Sequence, residues 1–252
     1  MFRRIALLSV FLLLVGTPYA FAATIDLVSN PTVTAADGTI WSRVISAPTG
    51  TGVYEPFLRL QAKGTEAGLN TDGNANTTYD DKAGIWTHSL TYGDLGVVTV
   101  SPTDYYSFTW DINEPAEGAD RFISLDKLQI YNGGAVPNYT NIGSLGTALY
   151  TLTGGPVLID YTLSSSGSGK DDIQVLIPTA NFTTASPTDY LYLYAEFGGL
   201  GVVTNSPERD YGSAAGFEEV RALTAVPEPG TLLLLGSGLI GLAVFGRKKV
   251  KA

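Results

Sequence analysis

The densest crowd of oxygen ligands in the chain is NTDGNANTTYDD, residues 70–81, where Asp72, Asn74, Asn76, Asp80 and Asp81 offer the carboxylate and amide oxygens that calcium takes. The two-residue spacing suggests a metal loop. Measured against the EF-hand pattern from Asp72, however, Thr77 stands where glycine is needed and Ala83 where the bidentate glutamate belongs. Two readings stay open: a calcium site, or a solvated loop whose Asx side chains hold turns. No other cofactor is expected. Without cysteine there is no thiolate metal site, no disulfide and no cysteine nucleophile, and the single histidine, His88, provides no imidazole cluster. His88, in IWTHSL, is read as a structural residue on a strand face near Trp86. No GxSxG elbow, P-loop or HExxH helix occurs. Among 24 acidic residues no spacing selects a glycosidase pair. Trp41, Trp86, Trp110 and the 14 tyrosines could stack on sugars, but most are expected in the core because they bury large areas.

Charge is unevenly spread. A net charge of -9 argues against a nucleic-acid partner, which would need clustered lysine and arginine. All but one of the 24 acids lie between residues 23 and 226, against 9 of the 15 basic residues, so an acidic body is framed by basic ends. The first 22 residues run from Arg3 and Arg4 through the apolar stretch IALLSVFLLLVG to Ala20-Phe21-Ala22, the order of parts of a secretory signal peptide. An apolar core of about 12 residues is too short to span the hydrocarbon layer. Signal peptidase is expected to read the small Ala20 and Ala22 and cut before Ala23.

At the other end, Thr231 to Gly246 is uncharged, mostly apolar and closed by Arg247, Lys248 and Lys249. Its sixteen residues give a transmembrane helix of about 24 Å at about 1.5 Å per residue, a short span held upright or in a thinned bilayer. The basic cluster stays cytoplasmic, which puts the acidic body across the inner membrane. Just ahead, Pro227 and Pro229 bias Val226 and Glu228 toward extended backbone. Stiff extended chain is what a protease cleft accepts, and Glu228 adds one fixed charge.

Together, Val226-Pro227-Glu228-Pro229, the glycine-rich apolar helix and the Arg-Lys-Lys cluster resemble the PEP-CTERM sorting signal of Gram-negative bacteria. The resemblance covers about a tenth of the chain. It implies a substrate of exosortase, a membrane-embedded protease or transpeptidase with a cysteine nucleophile, in bacteria that build exopolysaccharide and biofilm matrix. It also implies a transient inner-membrane anchor, then a non-enzymatic life at the cell surface or in the extracellular matrix, with exopolysaccharide as a partner. The alternatives are a carbohydrate-binding module, with or without calcium, and a glycan-cleaving enzyme. GFEEVRA, residues 216–222, is similar to stretches in other bodies of this kind and carries no activity with it.

The body, residues 23–225, is long enough for one core. Its apolar residues recur with period two: Tyr106, Phe108, Trp110 and Ile112 alternate with Tyr105, Ser107, Thr109 and Asp111. Residues 157–163 and 173–177 alternate likewise, the latter stopped by Pro178. YLYLYAEF, residues 190–197, is apolar on both faces and is expected to be a central strand, tyrosines on one side and Leu191, Leu193 and Phe197 on the other. Further strands are expected within 40–46, 53–60, 85–91, 122–131 and 217–223, with GSGKDD, residues 167–172, as a hairpin loop. This pattern predicts an all-β, antiparallel, jelly-roll-like β-sandwich. LGVVTVSP and SPTDY each have an echo later in the chain, but 105 and 85 residues on, which is not one period.

Overall fold

The computed structural model describes residues 24–44, 55–71, 79–134, 142–164, 169–204 and 208–225. The expected signal peptide with Ala20, Ala22 and Ala23, the segment from Val226 to the C-terminus, and Asp72, Asn74 and Asn76 lie outside the described residues. Among the described residues the fold is all β, with no α-helix and no helix long and apolar enough to cross a membrane.

Strands form where apolar residues alternate, and turns where Gly, Pro, Asp and Asn interrupt. They are β1 (Ile25–Asp26), β2 (Thr32–Thr34), β3 (Ile40–Arg43), β4 (Leu58–Leu60), β5 (Lys63–Gly64), β6 (Glu66–Leu69), β7 (Leu90–Thr91), β8 (Val97–Val100) and β9 (Thr103–Asp111). There follow β10 (Phe122–Gly133), β11 (Tyr150–Thr151), β12 (Val157–Asp160), β13 (Ile173–Pro178), β14 (Tyr190–Phe197), β15 (Val202–Val203), β16 (Arg209–Asp210), β17 (Ser213–Ala214) and β18 (Glu218–Ala222). One sheet has the order β1-β12-β10-β14-β6, with β11 on β10 and β7 on β14; the other has β2-β3-β13-β9-β18-β4, with β8 on β9. Two small ribbons, β15-β16 and β5-β17, flank them. Only the β1-β12 pair is parallel among the described pairings. Taking β4, β6, β9, β10, β12, β13, β14 and β18 as strands one to eight, the sheets read 1-8-3-6 and 2-7-4-5.

Both sheets feed one core. Phe108, Trp110 and Ile112 from the β9 side meet Leu125, Leu128 and Ile130 of β10 and Leu191, Leu193 and Phe197 of β14 in a single buried cluster. Trp41 and Trp110 stack inside it at 6.1 Å, both fully buried. The opposite face of β14 is buried too: Tyr192 and Tyr194 join Leu69, Tyr131 and Leu145 in a second cluster on the outer side of that sheet. The two-sided apolar pattern of this strand thus has its physical reason.

Several expected strands are shorter than the apolar pattern promised, and in two of them the structure shows why. Within 85–91 only Leu90–Thr91 is a strand. Gly84 adopts φ 95° and its carbonyl accepts from Thr87 N at 3.3 Å, so Ile85 and Trp86 ride on a turn, where the Arg59 guanidinium covers the Trp86 ring at 3.7 Å. His88 therefore sits in the loop before β7, half-buried, with Nδ1 3.0 Å from the Ser89 carbonyl. The run 157–163 stops as a strand at Asp160, whose Oδ1 accepts from Thr162 N at 3.0 Å and caps a 3-10 turn over Tyr161–Leu163. The two echoes have unlike settings: Val97–Val100 forms an edge hairpin with β9, whereas Val202–Val203 pairs in a ribbon with β16.

Replacing Trp110 with alanine deletes a fully buried indole stacked on Trp41. It should destabilise the body by about 3–5 kcal/mol, read from urea unfolding followed by the fluorescence of the remaining tryptophans.

Candidate functional site

The course of the last described residues is set by competition for one flank of β9. β18 lies beside Phe108–Asp111 and β8 beside Thr103–Tyr106. Leu223 N still reaches Ser107 O at 2.9 Å, but beyond that the flank belongs to β8. The chain is turned aside across the start of β8. Gly96 N donates to Leu223 O at 2.7 Å, Ala225 N donates to Asp94 O at 2.8 Å, and Leu95 bridges Thr224. Glycine is required at 96, since a Cβ there would stand 2.8 Å from Thr224 O. Asp94 is itself held, accepting from Thr91 N at 2.9 Å and Thr91 Oγ1 at 2.6 Å.

Beside this exit a cavity of about 230 Å³ opens on the outer face of the second sheet, lined by Ser107, Thr109, Asp171, Gln174, Arg221 and Leu223 among others. Ser107 and Thr109 of β9, Gln174 of β13 and Arg221 of β18 are outward alternates brought side by side by strand pairing, and Asp171 comes from the loop before β13. Gln174 Nε2 donates to Ser107 Oγ at 2.8 Å; Arg221 Nε donates to Thr109 Oγ1 at 3.2 Å and to Asp171 Oδ1 at 2.9 Å, with a second guanidinium nitrogen on Asp171 Oδ2. Such a surface can exchange hydrogen bonds with a polyhydroxylated ligand. It carries one carboxylate.

Of the loop read as a calcium candidate, Asp80 and Asp81 are described. Asp80 pairs along β6, donating from N to Ala67 O at 2.7 Å and accepting at Oδ2 from Ala67 N at 3.0 Å. Asp81 bridges Leu60, and burial pushes its carboxyl up to about 6. Both therefore serve the sheet edge. Among the described residues no three His, Asp or Glu side chains form a group that could hold a metal.

Sequence reasoning missed the interior acids. At one end of β9 and β13, Asp111 and Asp172 are both fully buried; Gly169 N donates to Asp111 Oδ2 and Ile112 N to Asp172 Oδ2 at 2.7 Å, leaving Oδ1 of each without a partner. Burial, and then the charges of Asp111 and Asp171, push Asp172 up to about 8; burial, and then the charge of Glu219, push Asp111 up to about 7. Farther along, Glu66, Glu114 and Glu218 are buried as well. The signal for the last was available: Glu218-Glu219 is an acidic doublet inside a strand, and alternation sends one of them inward.

Residues 225–249 match the family model of the PEP-CTERM protein-sorting motif. The chain thus carries that motif on an all-β body, and its first residue, Ala225, is the last of the described residues and donates from N to Asp94 O. The motif implies an exosortase-targeted exported protein, sent toward the cell surface with exosortase as its processing partner. No curated protein and no solved structure matched the chain.

Carboxyls raised in the folded state keep their full stabilising effect below the unfolded value near 4, and lose it as pH rises through the folded value. In chelator-treated protein the melting temperature should accordingly fall by several degrees between about pH 5 and about pH 8.5, and Asp172→Asn should flatten that dependence, as thermal melts across the range would show.

Proposed function

We propose that this is a non-enzymatic exported protein, led out by a signal peptide, tethered briefly in the inner membrane by the helix expected at 231–246, and delivered by exosortase to the cell surface or exopolysaccharide matrix. The observation that carries this reading is the sorting motif, whose first residue, Ala225, is hydrogen-bonded to the sandwich. Between Ala225 and Thr231 lie five residues, which fully extended reach at most about 18 Å. On this reading the body is held close to the membrane while the tether lasts, and the proline-framed segment is the stretch offered to exosortase. The strand order 1-8-3-6 and 2-7-4-5 supports reading the body as a jelly-roll-like sandwich of two Greek keys.

The polar cavity beside the exit favours a second reading, a carbohydrate-binding module on the same body. Binding is preferred over cleavage because glycoside hydrolysis takes two facing carboxylates, whereas the cavity offers Asp171 alone, already engaged by Arg221.

Replacing Pro227, Glu228 and Pro229 with alanines in an exosortase-bearing host should leave an uncleaved, membrane-retained form, seen by mass spectrometry of the C-terminus; unchanged processing would refute the sorting reading. For the second reading, an array including the host's own polysaccharide should show binding that Gln174→Ala weakens about tenfold with little change in melting temperature, and silence on the array removes it.

A further inference from the structure

The three tryptophans divide by exposure. Trp41 and Trp110 are 0% exposed, whereas Trp86 is 36% exposed and its neighbour Ile85 76%. The turn that carries Trp86 is fixed along the flank of β4 away from β18. Lys82 N donates to Arg59 O at 2.9 Å, Arg59 N to Thr87 Oγ1 at 3.2 Å, and His88 N to Phe57 O at 3.0 Å. Against one face of the indole the Arg59 guanidinium lies 3.7 Å from the ring centroid, and its Nε donates to Glu219 Oε1 at 2.5 Å, so the cation on the ring is itself held. With that face occupied, the surface the indole shows to water is its other face and rim.

Arg59 points outward between the core residues Leu58 and Leu60, as Glu219 and Arg221 do on either side of Val220. Register carries this outer face across the sheet: Arg59 is opposite Glu219, Arg221 opposite Thr109, and Thr109 opposite Gln174. Trp86 therefore stands at the β4 border of the same face that holds the polar cavity. Three strand spacings of about 4.8 Å separate β4 from β13, about 14 Å in all. The strip between is made of hydrogen-bonding side chains. Both of its arginines are paired, Arg59 with Glu219 and Arg221 with Asp171.

We propose that this outer face binds a neutral oligosaccharide, with Trp86 as the platform on which one pyranose ring stacks and Thr109, Gln174 and Arg221 holding hydroxyls farther along the glycan. The inference rests on the carbohydrate-binding reading above and adds to it a stacking residue, a direction and a charge class. A pyranose with equatorial hydroxyls has an apolar C–H face to set against the negative face of an indole, and a polar rim for amide, hydroxyl and guanidinium groups. A strip about 14 Å wide is longer than one ring, so a short oligosaccharide is the unit bound. Charge selects a neutral one: an acidic glycan would meet arginines already paired, on a body with 23 acids and 9 basic residues. Because indole and guanidinium are ordered before the ligand arrives, stacking loses little side-chain entropy. A lipid surface is the other partner that an exposed Ile-Trp turn fits. Position argues against it, since β18 begins beside Arg59 and passes the chain to the sorting motif from its opposite end.

Because Trp41 and Trp110 are buried, quenching of tryptophan fluorescence by acrylamide reads Trp86. The test uses the full chain in a detergent without a sugar headgroup, titrated with cello- and xylo-oligosaccharides from dimer to hexamer and with a partial hydrolysate of the host's own polysaccharide. At least one neutral oligosaccharide should bind, more tightly with length up to a plateau, shield Trp86 from acrylamide, and keep its affinity in raised sodium chloride. Trp86→Ala should weaken that binding about tenfold and Trp86→Phe much less, both with melting temperatures near that of the wild-type chain. Glycan binding that Gln174→Ala weakens and Trp86→Ala leaves unchanged overturns the platform while the carbohydrate-binding reading stands. Binding of acidic glycans alone, lost in salt, overturns the proposal in the same way. Trp86 emission that shifts on phosphatidylglycerol vesicles and on no oligosaccharide assigns the turn to a lipid surface and overturns both, as does silence throughout.

Discussion

A β-strand has two faces and no third place to put a side chain, so once two sheets close on each other every second residue is committed to a dry interior. The rest of this molecule follows from that commitment. Along β9 it sends Phe108 and Trp110 to the core and leaves Ser107 and Thr109 to build an outer polar cavity. Along β14 it is met twice, by the shared core on one side and a tyrosine cluster on the other. Along β18 it divides neighbouring glutamates: Glu219 points outward to an ion pair with Arg59, and Glu218 points inward, where the Glu66 carboxyl and the Asn113 amide face it.

How far the fold could be read from the sequence depended on how purely each strand alternates. β9, β13 and β14 do so over six or more residues, and their faces were legible in advance. Ile85 and Trp86 look like strand residues because they are apolar, but the adjacent turn at Gly84 and the cover of Arg59 over Trp86 are tertiary facts. Asp160 ended a strand through its side chain, which hydrophobic periodicity does not register. Polar clusters were the least legible. Ser107, Gln174 and Arg221 are far apart in the chain and become neighbours only through strand order. Glu66 and Glu218 likewise meet only because β6 and β18 begin at the same end of opposite sheets.

The tail inherits its position from the same accounting of edges. β9 has two flanks, one taken by β13 and the other divided between β18 and β8. A final strand that could run the length of β9 would leave the body at the end of the sheet. Instead β8 blocks it, and the last three described residues are bonded across Asp94 and Gly96. The start of the sorting motif is thereby fixed to the sandwich by backbone hydrogen bonds, which strand pairing supplies whatever side chains follow.

The acidity of the body has a related origin. With 9 basic residues for 23 acids between residues 23 and 226, ion pairing cannot satisfy the carboxylates. Several use backbone amides at a strand end or a bulge: Asp26, closing β1, accepts from Val28 and Ser29; Asp126, at the bulge in β10, from Gly199; Asp210, closing β16, from Gly212. At Asp189 the Ser186 amide, followed by the Asn132 side chain, holds the carboxyl below its usual range. A loop-rich β-domain needs many such caps, because each turn frees amides that the ladder no longer uses. These acids are therefore compensated where they stand. Glu218 is the reverse case: it is fully buried at the start of β18, and burial followed by the Glu66 carboxyl beside it drives its own carboxyl well above the usual range.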